Sequence, residues 1–166
     1  MTEPMVMIVM GSDTDLPVME EAARVLAEFG VPCEMRISSA HRSPRRTASL
    51  ATDAAGRGIR VIIAGAGMAA HLAGVIASET VLPVIGVPME GGSLNGLDAL
   101  YATVQMPGGI PVATMAIGKA GAKNAGLFAV QVLALGDASL TAALNAYREK
   151  MAEAVAAKDR ELTGNN

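Results

Sequence analysis

Aromatic side chains are nearly absent from this 166-residue chain, which has no tryptophan, two tyrosines and two phenylalanines. That leaves little to build the stacking platforms that hold single-stranded nucleic acid. The net charge is −3 and no basic stripe appears, so a phosphate-backbone partner is not expected either. A lone cysteine, Cys33, excludes an internal disulfide and a cysteine-based zinc site. It falls on a predicted strand and reads as buried and inert. No apolar run of about 18 residues escapes interruption by Gly or Pro, so no membrane span is expected. The stretch from Met1 to Val9 lacks a basic segment ahead of its apolar run, so no signal peptide is expected and the cytosol is the expected compartment.

What the chain does have is small apolar residues. Hydrophobic residues make up 51% and charged residues 17%, and there are 18 glycines. A core of Ala, Val, Ile, Leu and Met lets helices lie close to a sheet but buries less area per side chain, which favours further burial by oligomerisation. The length suits one domain spanning residues 1–166, with a core from about 5 to 136 and a closing helix from about 138 to 162.

Apolar runs and helical stripes alternate along the chain. Strands are predicted at Val6–Met10, about Cys33–Ile37, Val61–Gly65, Val84–Val87 and Pro111–Ile117. Helices are predicted from Asp15-Leu16-Pro17 to Gly30, from Pro44 to about Gly56, and over Met68–Ser78, Leu97–Val104, Lys123–Leu135 and Ala138–Leu162. This order predicts a three-layer α/β/α fold, a doubly wound parallel sheet of the flavodoxin-like or Rossmann-like kind. The last helix carries Leu140, Leu144, Tyr147, Met151 and Val155 along one face. It packs either on its own domain or on a neighbouring subunit.

In such a sheet all strand carboxyl ends share one edge, where loops distant in sequence meet. Three of those loops are chemically distinctive. Gly11-Ser12-Asp13-Thr14-Asp15 offers a tight turn, two hydroxyls and a helix amino terminus, which together suit a phosphate, with Asp15 able to bond ribose hydroxyls. The same residues also serve simple helix capping. Ser39-Ala40-His41-Arg42-Ser43-Pro44 supplies a proton-transfer group beside a fixed cation. Ala64-Gly65-Ala66-Gly67-Met68-Ala69-Ala70-His71-Leu72 lets backbone approach a ligand closely. His71, about one turn into the predicted helix, reads first as a structural residue bonding a nearby carbonyl. A fourth segment, Gln105–Pro111, is too rich in Gly and Pro for a helix and reads as a loop or rim.

Taken together, these segments resemble the PurE family of de novo purine biosynthesis. The resemblance rests on Met10–Asp15, Ser39–Arg42, Ala64–Gly67 with Ala69–Leu72, and Gln105–Val112, in that order and spacing. It is closer to class I, the N5-carboxyaminoimidazole ribonucleotide mutases, than to class II, which uses free carbon dioxide and usually has Lys where this chain has Arg42. The resemblance implies an isomerase acting on a small ribonucleotide. Ser12 and Arg42 would hold the phosphate, Asp15 the ribose, and His41 would transfer protons. Ser39, Ala40 and the Gly67 loop would surround the migrating carboxylate, with Thr14, Met68, His71 and Leu72 also against the substrate. It further implies no metal or other cofactor, and a homo-octamer with the Gln105–Pro111 loop and closing helix near subunit contacts. The chain departs from the family at Met68, where Gly is common, at Ala73, where Pro is common, and over Met89–Ser93, where an apolar-polar pattern is commoner. A class II-like carboxylase, a PurE-like domain of nickel-cofactor synthesis and a nonenzymatic nucleotide-binding module remain open; the short chain argues against the second of these.

Overall fold

All five residues of the first strand, β1 (Val6–Met10), are buried in the computed structural model, which describes residues 3–164. An unbroken apolar strand of this kind must be covered on both faces. It lies between β2 (Cys33–Ile37) and β3 (Val61–Ala66), with β4 (Val84–Pro88) and β5 (Ala113–Thr114) beyond. Every pairing is parallel and the order is β2-β1-β3-β4-β5, the flavodoxin-like doubly wound sheet expected from the alternation.

The helices are α1 (Leu16–Glu28), α2 (Pro44–Ala54), α3 (Leu72–Glu79), α4 (Leu97–Val104), α5 (Gly118–Ala134) and α6 (Ala138–Thr163). On one face, Met7, Val9, Ile62 and Ala64 pack with Ala51 and Ala54 of α2 and with Leu72 and Ile76 of α3. The alternate residues face α1. There a Cβ on Gly65 would stand 2.5 Å from Met19 Sδ and from Met89 Cε, so the strand must carry glycine for the two methionines to cross it. Small residues also bring α5 against α1, since a Cβ on Gly126 would stand 2.9 Å from the Ala22 carbonyl oxygen. The scarcity of aromatics is the counterpart of this close packing.

Three elements differ from the sequence expectation. The third helix begins at Leu72 rather than Met68, because Met68 adopts a left-handed φ of 56° that no right-handed helix admits. The fifth strand shrinks to Ala113–Thr114, bonded on one side only, to β4. The fifth helix starts five residues earlier than Lys123, Gly118 opening it with a left-handed φ of 74° and Gly121 being a packing residue rather than a breaker. Cys33 is half-buried rather than buried, and that partial burial raises its thiol pKa.

The chain separates into two compact units, one running through Val130 and one from Gln131 onward. In the second, Asp137 caps α6 by accepting from the Ser139 and Leu140 amides at 2.8 and 3.3 Å. No residue of α6 is buried. Among the described residues no helix is long and apolar enough to cross a membrane.

Edge strand β2 is fastened by charge. Glu34 takes Arg57 at 2.7 Å on one oxygen and Arg36 at 2.6 Å on the other. Burial pushes the Glu34 pKa up, but the hydrogen bonds and charges of Arg36 and Arg57 outweigh it and leave it below the ordinary 4.5. A depressed folded value means the stabilisation is complete above the unfolded pKa and is lost as pH falls through the folded one. Glu34→Gln therefore lowers stability at pH 7 by about 1 kcal/mol. The gap from wild type closes on acidification, as thermal melts at neutral and acidic pH will show; an equal gap at both would refute it.

Candidate active site

The site follows from the strand order. The chain passes from β1 outward to β2 and then crosses back to β3 on the other side, so the loops leaving β1 and β3 diverge. Their ends are registered neighbours, Met10 beside Gly65, and a crevice opens above them at the topological switch point. A cavity of about 580 Å³ occupies it, a size that suits a small-molecule ligand.

The first wall is the turn after β1. Gly11 donates its N–H to the Gly65 carbonyl at 3.0 Å, tying this loop to the next. Ser12 and Asp15 then form a reciprocal capping box around a short 3-10 turn, Asp13–Asp15, that runs into α1. The Thr14 amide donates to Ser12 Oγ at 3.4 Å, and the Ser12 amide donates to Asp15 Oδ2 at 3.2 Å. Asp15 thus completes the cap of this turn and makes no side-chain capping bond to α1. Burial raises its carboxyl pKa, against the lowering effect of the Ser12 and Gly11 amides.

The second wall is the turn after β2. Its base is a buried hydroxyl pair, Ser38 Oγ and Thr47 Oγ1, 2.8 Å apart, which joins the end of β2 to α2. Ser39 Oγ accepts from the Arg42 amide at 3.2 Å and Ser43 Oγ donates to the Ser39 carbonyl at 3.0 Å. The guanidinium of Arg42 reaches across to the first wall, where Nη2 donates to the Gly11 carbonyl at 3.2 Å. One cation therefore bridges both loops and leaves further N–H groups for an anion.

The third wall follows β3. Met68 is 65% exposed and holds φ 56°, a conformation that costs a non-glycine residue of order 1 kcal/mol. The turn it makes brings His71 to the head of α3 and against His41. His41 Nε2 and His71 Nδ1 stand 2.9 Å apart with the rings nearly perpendicular, at 84°. His71 therefore bonds a second histidine, not the carbonyl expected of it.

Every candidate chosen from sequence lines this cavity. Ser12, Thr14 and Asp15 come from the first wall, Ser39, Ala40, His41 and Arg42 from the second, and Gly67, Met68, His71 and Leu72 from the third. A fourth wall, Met89–Gly92 after β4, lies in the segment that departs from the family pattern and that the sequence alone does not place at the site. Its signal was its position, since it follows a central strand like the others. The Gln105–Pro111 loop lies elsewhere: Met106, Pro107 and Ile110 line a smaller groove on the far side of His71. Among the described residues no group of three or more His, Cys, Asp or Glu side chains is placed to hold a metal ion.

An arrangement of this kind can grip an anion between two loops and move a proton at its centre. Known proteins are similar to this chain over nearly its whole length. The AIR carboxylase family model matches residues 5–154. An N5-carboxyaminoimidazole ribonucleotide mutase of Mycobacterium tuberculosis is 55% identical over 159 residues, covering 96% of this chain and 90% of that protein. Another from Pyrococcus horikoshii is 56% identical over 160 residues, covering 96% and 89%. The crystal structure of Treponema denticola PurE matches with a TM-score of 0.87 at 29% identity, over 96% of this chain and 98% of its own. Sequence and fold agree across nearly the whole length, and the chain belongs to the AIR carboxylase family.

Proposed function

We propose that this protein is an N5-carboxyaminoimidazole ribonucleotide mutase of purine biosynthesis, moving a carboxylate from an exocyclic nitrogen to the adjacent ring carbon. The observation that carries this reading is the His41–His71 pair, at 2.9 Å, set in one cavity with the Arg42 bridge. Arg42 and Ser12 hold the phosphate, Asp15 with Thr14 the ribose, and Ser39, Ala40 and Gly67 surround the carboxylate.

His41 supplies the chemistry as follows. Protonated, it donates Nε2–H to His71 Nδ1 and presents Nδ1–H to the substrate. The proton goes to the carbamate nitrogen, the N–C bond breaks with its electron pair on that nitrogen, and carbon dioxide is released in the cavity. The electron-rich ring carbon attacks carbon dioxide to form the C–C bond. The ring C–H proton then returns to His41 Nδ1, leaving no net change in protons. His71, as acceptor, keeps the remaining proton on Nε2 and the Nδ1 lone pair on the substrate side. The unit is a single domain in the cytosol, a reading supported by length and composition, and a homo-octamer, as the family resemblance implies.

The test is turnover of the purified protein with the carbamate nucleotide, compared with aminoimidazole ribonucleotide in bicarbonate. Efficient conversion of the carbamate to the C-carboxylated product is expected. Efficient use only of aminoimidazole ribonucleotide and bicarbonate would make it a free-carbon-dioxide carboxylase, and binding without turnover a nucleotide-binding module. Arg42→Ala is expected to raise KM roughly tenfold with a smaller change in kcat, since the charged grip on the phosphate acts in ground and transition states alike. An unchanged KM would remove Arg42 from the phosphate site.

A further inference from the structure

The first turn of α2 carries two arginines, Arg45 and Arg46, and no acid. A helix amino terminus is already partly positive, so folding favours acids there and disfavours cations. The positions three and four residues further on, Ala48, Ser49 and Leu50, hold no acid to offset them. Among the described residues the arginines held in ion pairs are Arg24, Arg36 and Arg57. Arg45 and Arg46 are both exposed, while Thr47, Ala51 and Ala54 of the same helix are buried. Two unpaired cations thus stand where the fold gains nothing from their charge. Their position relates them to the cavity instead. The Ser43 amide donates to the Ser39 carbonyl at 2.9 Å and the Thr47 amide to the Ser43 carbonyl at 3.1 Å, so the turn bearing His41 and Arg42 runs directly into α2. Arg42 lines the cavity, and Arg45 and Arg46 lie just outside it.

We propose that Arg45 and Arg46 steer the anionic nucleotide into the cavity, forming a positive shoulder beside its second wall that speeds encounter without touching the bound substrate. The inference rests on the nucleotide substrate proposed above. That substrate carries about −1.5 to −2 on its phosphate and a further negative charge on its carboxylate. The chain it approaches has a net charge of −3. The cavity lining sets one arginine, Arg42, against two carboxylates, Asp15 and Glu90, and Asp13 adds a third acid on the turn of the first wall. Arg42 alone does not offset these, so an incoming anion meets repulsion unless positive charge stands outside the lining. Arg45 and Arg46 supply it, and Arg42 then receives the phosphate they have drawn in. Steering acts over distance, depends on the sign of charge rather than on hydrogen-bond geometry, and is screened by salt.

The experiment compares wild type with two double variants, Arg45→Gln with Arg46→Gln and Arg45→Lys with Arg46→Lys. At an ionic strength of about 20 mM, kcat/KM for the carbamate nucleotide falls about fivefold to tenfold in the glutamine variant while kcat is unchanged. The lysine variant keeps the wild-type value, and at about 0.5 M salt all three converge. The melting temperature of the glutamine variant does not fall, because α2 loses two misplaced cations. Equal kcat/KM in wild type and the glutamine variant at low salt overturns the proposal. A loss that persists at high salt, or that lysine does not restore, also overturns it and makes the arginines direct contacts. Stopped-flow association of aminoimidazole ribonucleotide gives a separate arm. If wild type converts the carbamate and the glutamine variant matches it in both arms, steering fails and the mutase reading stands. If wild type does not convert the carbamate, the mutase reading fails, and steering stands only if the glutamine variant associates more slowly at low salt alone.

Discussion

His41→Gln abolishes turnover while leaving nucleotide binding nearly intact: kcat falls about 10³- to 10⁴-fold and the dissociation constant changes little. The magnitude follows from what the one imidazole does. It gives a proton to the carbamate nitrogen and takes one from the ring carbon, so both bond changes lose their partner in the variant. Glutamine is the informative replacement because its amide nitrogen can occupy the place of Nε2 and still donate to His71 Nδ1, which lies 2.9 Å away in wild type. The local geometry is thus retained and only proton exchange is removed. The Arg42 bridge to Gly11 and the Ser12 turn do not depend on the His41 side chain. Calorimetric binding of a phosphorylated nucleotide and steady-state turnover separate the two effects, and a variant with near-normal kcat would take His41 out of the chemistry.

The sequence revealed the site in outline because each wall follows a strand. Val6–Met10 and Val61–Gly65 read as buried parallel strands, and doubly wound topology then brings Gly11–Asp15 and Gly65–His71 to one edge. Missing were features that exist only once the chain has folded. Apolar periodicity extends the helix back to Met68 and places His71 a turn inside; only the family's glycine at position 68 points to the left-handed φ that Met68 adopts. With the true start at Leu72, His71 sits at the helix head, free to meet a residue 30 positions earlier. The Met89–Gly92 wall stands out in the sequence only as a departure from the family pattern; it lines the cavity by following β4. In α5 the reason is the opposite. Gly121 looks like a break along the chain, whereas close contact with Ala116 demands it. Pattern reveals which residues face the core, but not which side chains meet across two loops.

That meeting gives the second large effect. His71→Ala lowers kcat about 100-fold with KM nearly unchanged, and His71→Asn restores most of the loss. His71 is a positioning residue: it acts through His41 by accepting its Nε2–H and so fixing which ring nitrogen carries the lone pair. Without that acceptor the neutral ring divides between two tautomers and rotates freely, and only one arrangement returns Nδ1 to the substrate. Asparagine can place its side-chain oxygen near the position of Nδ1 and accept the same bond, whereas alanine cannot. Stability does not confound the comparison, since His71 is exposed and belongs to no buried cluster. A purely structural role predicts equal behaviour of the Ala and Asn variants, with any loss following the melting temperature. Dependence on the acceptor predicts that they separate in kcat at equal melting temperature. Wild-type kcat in His71→Ala would mean that His41 transfers its protons unaided, and the 2.9 Å contact would be incidental to the reaction.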